Sequence, residues 1–443
     1  MVQFGHNFKD KYYTLLDKDV TLVNHGSYGT TSTMVMDQLR KVCEEEELYP
    51  DEFYLVKSKE QYVAQIYALA KYIELDHRNL ALVPNATMGI NTILRSIPWD
   101  FEKDSVLVHT TSYGACSNTV KFLHDYYGLK FDTTSIVYPM EDEEVLNNFE
   151  KELATGKHKV CMFDMISSMP GVMLPYKELI KLCKKYNVLS LIDGAHAIGM
   201  VDLKFIDELE PDFLTTNLHK WMSVPKSCAL LYINPKHHDI IQTNPISWSY
   251  ISEDRKEGAP RNPETVMIDK FWYLGTVSYA PMLCVEEAIR FRTEICGGEQ
   301  AIRDYQLQLR EEAVRLVIKQ FGPGAELLEN SKGTLNVPGM FNISFPVDTK
   351  YVPVVKFLIE NFHEWRKFKA ECEVVMVTKD KAFAPFLVHN DKIYVRFSVF
   401  IINEPSDYTK SAKMIKDRLN EALEEQYHQL FELNLKTSEL EIK

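Results

Sequence analysis

Short apolar runs alternate with amphipathic stretches through the first half of the chain. Strands buried on both faces are typical of a parallel sheet covered by helices, and such strands read as continuous apolar runs. The segments between the runs have a helical period, as in "PYKELIKLCKKY" (175–186), where apolar and lysine side chains take opposite faces. The pattern predicts an α/β fold with a mostly parallel seven-stranded sheet between helices. The seven predicted strands are "NLALVP" (79–84), "SVLVHT" (105–110), "TSIVYP" (134–139), "HKVCMFDM" (158–165), "NVLSLID" (187–193), "PDFLTT" (211–216) and "CALLYIN" (228–234).

The last third of the chain has a different pattern. "GMFNISFPV" and "KIYVRFSVFI" predict strands, "YVPVVKFLIENFHEW" predicts a helix, and a polar helix is predicted from about residue 406. A chain of 443 residues is long enough for more than one core. We therefore expect an N-terminal arm (1–40), a large domain (41–290) and a smaller C-terminal α+β domain (291–443).

Composition narrows the choice of partner and compartment. A formal net charge of −13 disfavours a nucleic acid or an anionic membrane surface as partner. The N-terminus has no apolar signal core, and no run is long enough to span a membrane. The eight cysteines are scattered without a C-x-x-C pair, which is typical of reduced thiols in a cytoplasmic protein. His237 and His238 lack the spacing of metal ligands, so no metal site is expected.

The residues that follow the predicted strands are candidates for a binding site, because open parallel sheets bind ligands beyond the carboxyl ends of their strands. After the first strand, Thr87 is expected to cap a helix whose first N–H groups, near Ala86, suit a phosphate. A plain capping sequence would look the same. After the second strand, Tyr113 either covers a planar ligand or packs under a loop. Ser168 follows the fourth strand, beside a turn.

The next two strand ends carry ionisable groups. Asp193 ends a very apolar strand, where a carboxylate needs a partner, and His196 lies three residues further on. Lys220 follows the next strand in "TTNLHKW". Most lysines are solvated, but a buried lysine has a lowered pKa and reacts with aldehydes. A phosphate-type helix start, an aromatic ring, a carboxylate and a lysine together suit pyridoxal 5′-phosphate.

Seven motifs then occur in the order found in one enzyme family. They are "LVNHGSYG" (22–29), "NATMGIN" (85–91), "YGAC" (113–116), "DGAHAIG" (193–199), "TNLHKW" (216–221), "YLGTVSY" (273–279) and "YVRFS" (394–398). With them the chain resembles the class V aminotransferase group of fold-type I pyridoxal-phosphate enzymes. Within that group it is most similar to the branch of isopenicillin N epimerases, cysteine desulfhydrases and ergothioneine-pathway C–S lyases.

The resemblance implies a role for each matching residue. Lys220 would form the Schiff base and shuttle protons, Asp193 would hold the pyridine nitrogen, and His196 would lie near the phenolic oxygen. Tyr113 would stack on the ring, where desulfurases of this group carry a histidine, and Arg396 would clamp the substrate α-carboxylate bidentately. The other implied cofactor contacts are Ala86, Thr87, Ser168, Asn217, His219 and, from the neighbouring subunit of a homodimer, Thr276. The implied substrate-side residues, on the N-terminal arm, are Asn24 and His25.

The same resemblance implies the reaction. It predicts a lyase that removes sulfur from cysteine or a cysteine conjugate by β-elimination, releasing pyruvate, ammonia and a sulfur species. Cys372, the nearest counterpart of a sulfur-accepting loop cysteine, lies in "ECEVVMV", which reads as a strand, so an enzyme persulfide is not expected. The alternatives are an epimerase or aminotransferase of the same family and a non-catalytic sulfur-transfer scaffold. Residues 245–265 and the arm are expected to select the substrate side chain, which the sequence does not identify.

Overall fold

The fold is built on a seven-stranded, mostly parallel sheet, as predicted. The computed structural model describes residues 2–252, 254 and 262–440. The strand order is β1-β7-β6-β5-β4-β2-β3, with β7 antiparallel to both of its neighbours and the other pairs parallel. In β1, β2, β6 and β7 every residue is buried, in keeping with the continuous apolar runs. The strands are β1 (Leu80–Val83), β2 (Ser105–His109), β3 (Lys130–Thr134), β4 (His158–Asp164), β5 (Leu189–Asp193), β6 (Phe213–Asn217) and β7 (Ala229–Ile233).

One predicted strand is misplaced. The third strand is Lys130–Thr134, and the apolar run 134–139 forms the loop that follows it. Because β3 lies at the edge of the sheet, its own residues are mostly half-buried or exposed and do not read as an apolar run. Ile136 and Tyr138 are buried in the loop and produce the apolar signal there.

Helices connect and cover the strands. The α-helices that the structure describes are α1 (His6–Tyr12), α2 (His25–Tyr28), α3 (Thr33–Leu48), α4 (Pro50–Glu52), α5 (Ser58–Ile73), α6 (Ala86–Ser96), α7 (Gly114–Tyr127), α8 (Asp142–Leu153), α9 (Tyr176–Lys185), α10 (Phe205–Leu209), α11 (Leu218–Trp221), α12 (Val266–Phe271), α13 (Val285–Arg290), α14 (Glu299–Phe321), α15 (Val352–Glu360), α16 (Phe362–Val375) and α17 (Pro405–Leu440). Helix α6 packs on β6 and β7, and α9 packs on β4 and β5. No helix in this part of the chain combines the length and the apolar composition needed to cross a membrane.

The C-terminal part contains a second, antiparallel sheet of order β8-β10-β9, formed by β8 (Met340–Phe345), β9 (Phe386–His389) and β10 (Lys392–Ser398). The strand predicted around Cys372 is wrong, because this segment belongs to α16. Phe368, Cys372 and Met376 are buried four residues apart, and Val374 is exposed. That spacing is helical, and the valines of "ECEVVMV" imitate a strand only in composition.

Two clusters of buried residues correspond to the two sheets. The first surrounds the large sheet, and the second lies around the small sheet, where α14 packs on β8 and on α17. The N-terminal arm contributes to both, with Phe8 and Tyr13 in the first cluster and Val23 in the second. The arm therefore packs where the two sheets meet.

Candidate active site

A cavity of about 610 Å³ opens where β4, β5 and β6 end and where α6 and α7 begin. Its lining brings together residues far apart in the sequence, including Ser27 and Tyr28 of the arm. The residues predicted from the sequence that line it are Ala86, Thr87, Tyr113, Ser168, Asp193, His196, Asn217, His219 and Lys220.

Lys220 lies in the short helix α11, directly after β6, and lines the cavity. Its Nζ lies 3.2 Å from Nε2 of His196. Burial, followed by the positive charge of Arg396, lowers the pKa of Lys220 to about 8 against the opposing charge of Asp193. Part of the amine is therefore unprotonated near neutral pH, as a nucleophile requires.

The backbone around Lys220 is held from behind by the arm. His25 donates from Nε2 to the Lys220 carbonyl over 3.0 Å, and its ring stacks on Phe400 with ring centroids 3.5 Å apart. His25 is thus buried behind the lysine and does not line the cavity. At Gly29, with φ +68°, a Cβ would lie 1.9 Å from the His219 carbonyl oxygen, so only glycine lets the arm pass this close.

Two carboxylates end neighbouring strands at the floor of the site. Asp193 of β5 is in register with Asp164 of β4. Asp193 accepts hydrogen bonds from the Ala195 N–H (3.0 Å, Oδ1) and from the Cys116 thiol (3.1 Å, Oδ2). Burial, followed by the charge of Asp164, raises the pKa of Asp193 to about 6. Asp164 has its own partner in buried His109, with 2.9 Å between Oδ2 and Nε2.

The start of α6 differs in detail from the prediction. Asn85, not Thr87, caps the helix, because Asn85 has the extended backbone of an N-cap and accepts from the Met88 N–H over 2.8 Å. The Ala86 N–H donates to Oδ1 of Asn217 over 2.9 Å. The side chains of Asn85 and Asn217 thus occupy two first-turn donors, which leaves the N–H and hydroxyl of Thr87 for an anion in the cavity.

His219 also faces this side of the cavity. Its Nδ1–H donates to the Cys228 carbonyl over 3.0 Å, and within the described part of the chain its Nε2 has no partner. Burial lowers the pKa of His219 to about 4, so the ring is neutral without a ligand. An anion bound beside it would favour the protonated ring.

Arg396, on β10 of the small sheet, is buried beside the cavity and contacts Ser27 and Ser168 of its lining, but neither Arg396 nor Asn24 lines the cavity itself. Arg396 Nη2 donates to Asn24 Oδ1 (2.9 Å) and Ser27 Oγ (2.6 Å), and its Nη1 donates to the Ser168 carbonyl (2.7 Å). Its Nε is buried without a partner, and the acceptors that Arg396 has among the described residues are neutral oxygens, not carboxylates. Burial lowers the pKa of Arg396 to about 10. A buried guanidinium without a counter-charge suits a ligand carboxylate.

Three further predictions concern residues away from the cavity. Thr276 is exposed on the surface, where its hydroxyl lies 3.0 Å from that of Tyr273. Of the segment 245–265, residues 253 and 255–261 lie outside the described residues. Cys372 is buried in the second core, and burial raises its pKa to about 12, unlike that of a reactive thiol.

The sequence reasoning missed Asp164, Cys116 and His109. Asp164 carried a usable signal, because it ends an apolar strand just as Asp193 does. Cys116 and His109 carried none, since a cysteine in a helix and a histidine at a strand end have no distinctive spacing.

Comparison with known proteins places the chain in a family. The family model described as aminotransferase class V matches residues 58–352. The chain is 30% identical over 419 residues to hercynylcysteine sulfoxide lyase from Schizosaccharomyces pombe, covering 94% of this chain and 97% of that protein. It is 24% identical over 425 residues to a probable chloroplastic L-cysteine desulfhydrase from Arabidopsis thaliana, covering 91% and 83%.

A solved structure shares the fold. The cystine C–S lyase C-DES, in complex with its reaction product cysteine persulfide, aligns with a TM-score of 0.70 at 17% identity, covering 90% of this chain and 98% of that one. The family match covers more than half of the chain and includes the strand-end residues that form the cavity. This chain belongs to the class V aminotransferase family.

Proposed function

We propose that this protein is a pyridoxal-phosphate-dependent C–S lyase that releases pyruvate, ammonia and a sulfur species from cysteine or a cysteine conjugate by β-elimination. The observation that carries the proposal is one arrangement around the cavity: a lysine amine with a lowered pKa, a buried carboxylate and a buried guanidinium without a counter-charge. The relatives named as a hercynylcysteine sulfoxide lyase and a cysteine desulfhydrase support the choice of reaction.

The cavity fits pyridoxal phosphate group by group. When bound, this cofactor supplies an aldehyde that condenses with amines and a pyridinium ring that withdraws electrons from a substrate α carbon. Asp193 would hold the ring nitrogen, because the Ala195 N–H and the Cys116 thiol already orient its carboxylate. The Thr87 N–H and His219 would hold the phosphate. The other proposed cofactor contacts are Ala86, Tyr113, Ser168, His196, Asn217 and Lys220.

The substrate would be oriented from the opposite side. Arg396 has a free buried Nε, and Asn24 and Ser27 hold its Nη2, so the guanidinium is fixed before a carboxylate arrives. With the α-carboxylate held there, the Lys220 amine is the base that takes the proton from the α carbon. In this proposal Asn24 acts on the substrate through Arg396, and His25 supports the backbone of Lys220.

The sulfur would leave without a protein acceptor. No cysteine is among the described residues that line the cavity, and Cys372 is buried in the second core. The proposed product is therefore free sulfide or a low-molecular-weight sulfur species, not an enzyme persulfide.

We also propose a homodimer with a shared site. Tyr54 donates to the Val277 carbonyl over 3.2 Å, and Glu46 accepts from Ser278 over 2.8 Å, which joins residues 46–56 to 273–279 in one surface. On that surface Leu48, Tyr49, Leu55, Val56 and Val277 are exposed. A second copy would cover these apolar side chains, and Thr276 would reach the partner's phosphate site.

Two buried clusters support a large and a small domain, for which we propose residues 41–290 and 291–443; the first cluster also includes later residues such as Ile302 and Phe400. Residues 1–40 form the arm, which contributes Ser27 and Tyr28 to the site. The eight cysteines are all free thiols, which supports a reducing compartment, and we propose the cytoplasm.

The test combines labelling with product analysis. Borohydride reduction of the protein loaded with pyridoxal phosphate should fix the pyridoxyl group on Lys220, and Lys220→Ala should abolish this label. A panel of cysteine derivatives should then yield pyruvate and a sulfur product in equal amounts, with Cys372→Ser as a control that leaves release unchanged. A requirement for a 2-oxo acid would instead indicate an aminotransferase. Inversion at the α carbon without pyruvate would indicate an epimerase, and absence of the label would indicate a non-catalytic scaffold.

A further inference from the structure

We propose that Trp221 is a positioning residue that fixes the tautomer of His196, so that the Nε2–H of His196 points at the Lys220 amine. The indole Nε1 of Trp221 lies 3.3 Å from Nδ1 of His196, and Nε2 of the same ring lies 3.2 Å from Lys220 Nζ. One imidazole thus joins the tryptophan to the lysine that precedes it in sequence.

The direction of both hydrogen bonds follows from the donors available. An indole N–H only donates, so His196 Nδ1 must carry a lone pair and no proton. Burial keeps the pKa of His196 well below its usual range, so the ring is neutral and its single proton sits on Nε2. Nε2–H then donates to Lys220, which must accept with the lone pair of an unprotonated amine.

The indole is held in place on several sides. A Cβ added at Gly199 would lie 2.9 Å from Trp221 Cβ, one at Gly26 would lie 3.1 Å from Cζ2, and one at Gly339 would lie 2.8 Å from Cη2. The Trp221 carbonyl also accepts from buried Arg292 over 2.6 Å. Segments from three parts of the chain therefore hold the indole ring in one position. A fixed position is needed if the indole N–H is to select one tautomer of His196.

This inference deepens the proposed function and rests on it only for the catalytic role of Lys220. Without the indole donor, His196 can move its proton to Nδ1 and accept from the Lys220 ammonium through Nε2. That change stabilises the charged lysine and raises its pKa. The other groups that act on the lysine charge are Asp193, Asp164, Cys116 and Arg396, and they are the same in both tautomers.

The experiment measures the Lys220 amine without the cofactor. Cofactor-free protein is treated briefly with acetic anhydride across a pH series, and acetylation of the Lys220 peptide is followed by mass spectrometry. Trp221→Phe should raise the apparent pKa of Lys220 by about half to one unit, the size expected for one rearranged hydrogen bond. Trp99→Phe is the matched control and should leave it unchanged, since it removes an indole that donates to the Leu94 carbonyl.

The same substitution in a His196→Ala protein distinguishes an effect on the His196 tautomer from an effect on packing. In a His196→Ala protein, Trp221→Phe should produce no shift, because there is no imidazole to rearrange. An equal shift in both backgrounds, or no shift in the wild-type background, overturns the proposal. If Trp221→Phe does not fold, nitrogen NMR of the ¹⁵N-histidine-labelled wild-type protein decides, with the His196 signal assigned from His196→Ala. A proton on Nε2 supports the proposal, and a proton on Nδ1 overturns it. None of these readouts depends on C–S lyase activity, so a failure here is distinguishable from a failure of the proposed function.

Discussion

Asp193 shares the floor of its site with a second buried carboxylate, and this pairing controls its charge. Burial and then the Asp164 carboxylate raise the pKa of Asp193, and the hydrogen bond from the Cys116 thiol lowers it. Asp193 has to be ionised to hold a pyridinium nitrogen. Retention of the cofactor should therefore weaken as pH falls through the range where Asp193 takes up a proton.

The acid limb of this pH profile is the range in which cofactor retention falls as pH is lowered. Two substitutions should shift it in opposite directions. Asp164→Asn removes a like charge, lowers the pKa of Asp193 and moves the limb to lower pH. Cys116→Ala removes the thiol hydrogen bond to the Asp193 carboxylate, raises the pKa of Asp193 and moves the limb to higher pH. The measurement is the visible absorbance of bound pyridoxal phosphate as a function of pH. Shifts of both variants in the same direction would show that Asp164 acts through packing and not through charge.

In the proposed reaction, Arg396 both binds the substrate and orients it. Arg396→Ala should raise KM and also lower kcat, with a loss in kcat/KM of about tenfold or more, because a hydrogen-bonded charge is removed. Arg396→Lys should give an intermediate loss, since it keeps the charge without the two-pronged geometry. Arg310→Ala is the matched control, because Arg310 is a buried arginine that donates to the Met340 carbonyl and not to a residue that lines the cavity. Steady-state kinetics showing an unchanged kcat for Arg396→Ala would limit the arginine to substrate binding.

At the scale of elements, the distance between α6 and β6 determines where the Thr87 N–H, in the first turn of α6, lies in the cavity. Gly89 of α6 packs so closely on β6 that a Cβ there would lie 2.5 Å from Oγ1 and 2.9 Å from Cβ of buried Thr215. Thr215 is a stiff β-branched residue in the middle of the sheet, so the helix has to move and the threonine does not.

Gly89→Ala should therefore destabilise the fold by about 1–3 kcal/mol and also weaken cofactor binding. Gly114→Ala, in α7 beside the same sheet, meets nothing within 4 Å and should leave both properties intact. Thermal unfolding and cofactor titration provide the two readouts. Normal cofactor affinity in a destabilised Gly89→Ala protein would show that the packing of α6 does not control the proposed phosphate site.

A comparison of the predicted and observed elements shows which of them the apolar pattern of the sequence can locate. Runs buried on both faces were located correctly, because burial of both faces makes neighbouring residues apolar. The edge strand β3 and the helix around Cys372 were not located correctly. Both elements are partly exposed, so β3 has the composition of a loop and the helix has that of a strand.

At the scale of the whole molecule, the exposed apolar surface formed by residues 46–56 and 273–279 carries the dimer proposal. Leu55→Glu should weaken self-association by about tenfold or more, because a charge would be buried against an apolar partner. Phe362→Glu is the control, since Phe362 is exposed to a similar extent on the small domain. Sedimentation at several concentrations, with cofactor retention measured in parallel, gives the readout. A monomeric Leu55→Glu protein that keeps full cofactor affinity would remove Thr276 from the proposed phosphate site.

The sequence by itself determined the sheet and the order of reactive groups along its edge. Apolar runs located six of the seven large-sheet strands, and the residues after them supplied Tyr113, Asp193 and Lys220 in one cavity. This was possible because a strand and the residue after it are local in sequence. A parallel sheet then brings the carboxyl ends of its strands together whatever lies between them.

Only the tertiary structure decided which polar groups satisfy one another. Arg396 and Asn24 are 372 positions apart, and Cys116 and Asp193 are 77 apart, and no short-range pattern relates such residues. The choice of Asn85 over Thr87 as helix cap depended on the backbone entering α6, and the tautomer of His196 depends on a tryptophan confined by glycines from three segments. Hydrogen-bond partners are selected by distance and direction after packing, and those exist only once the chain has folded.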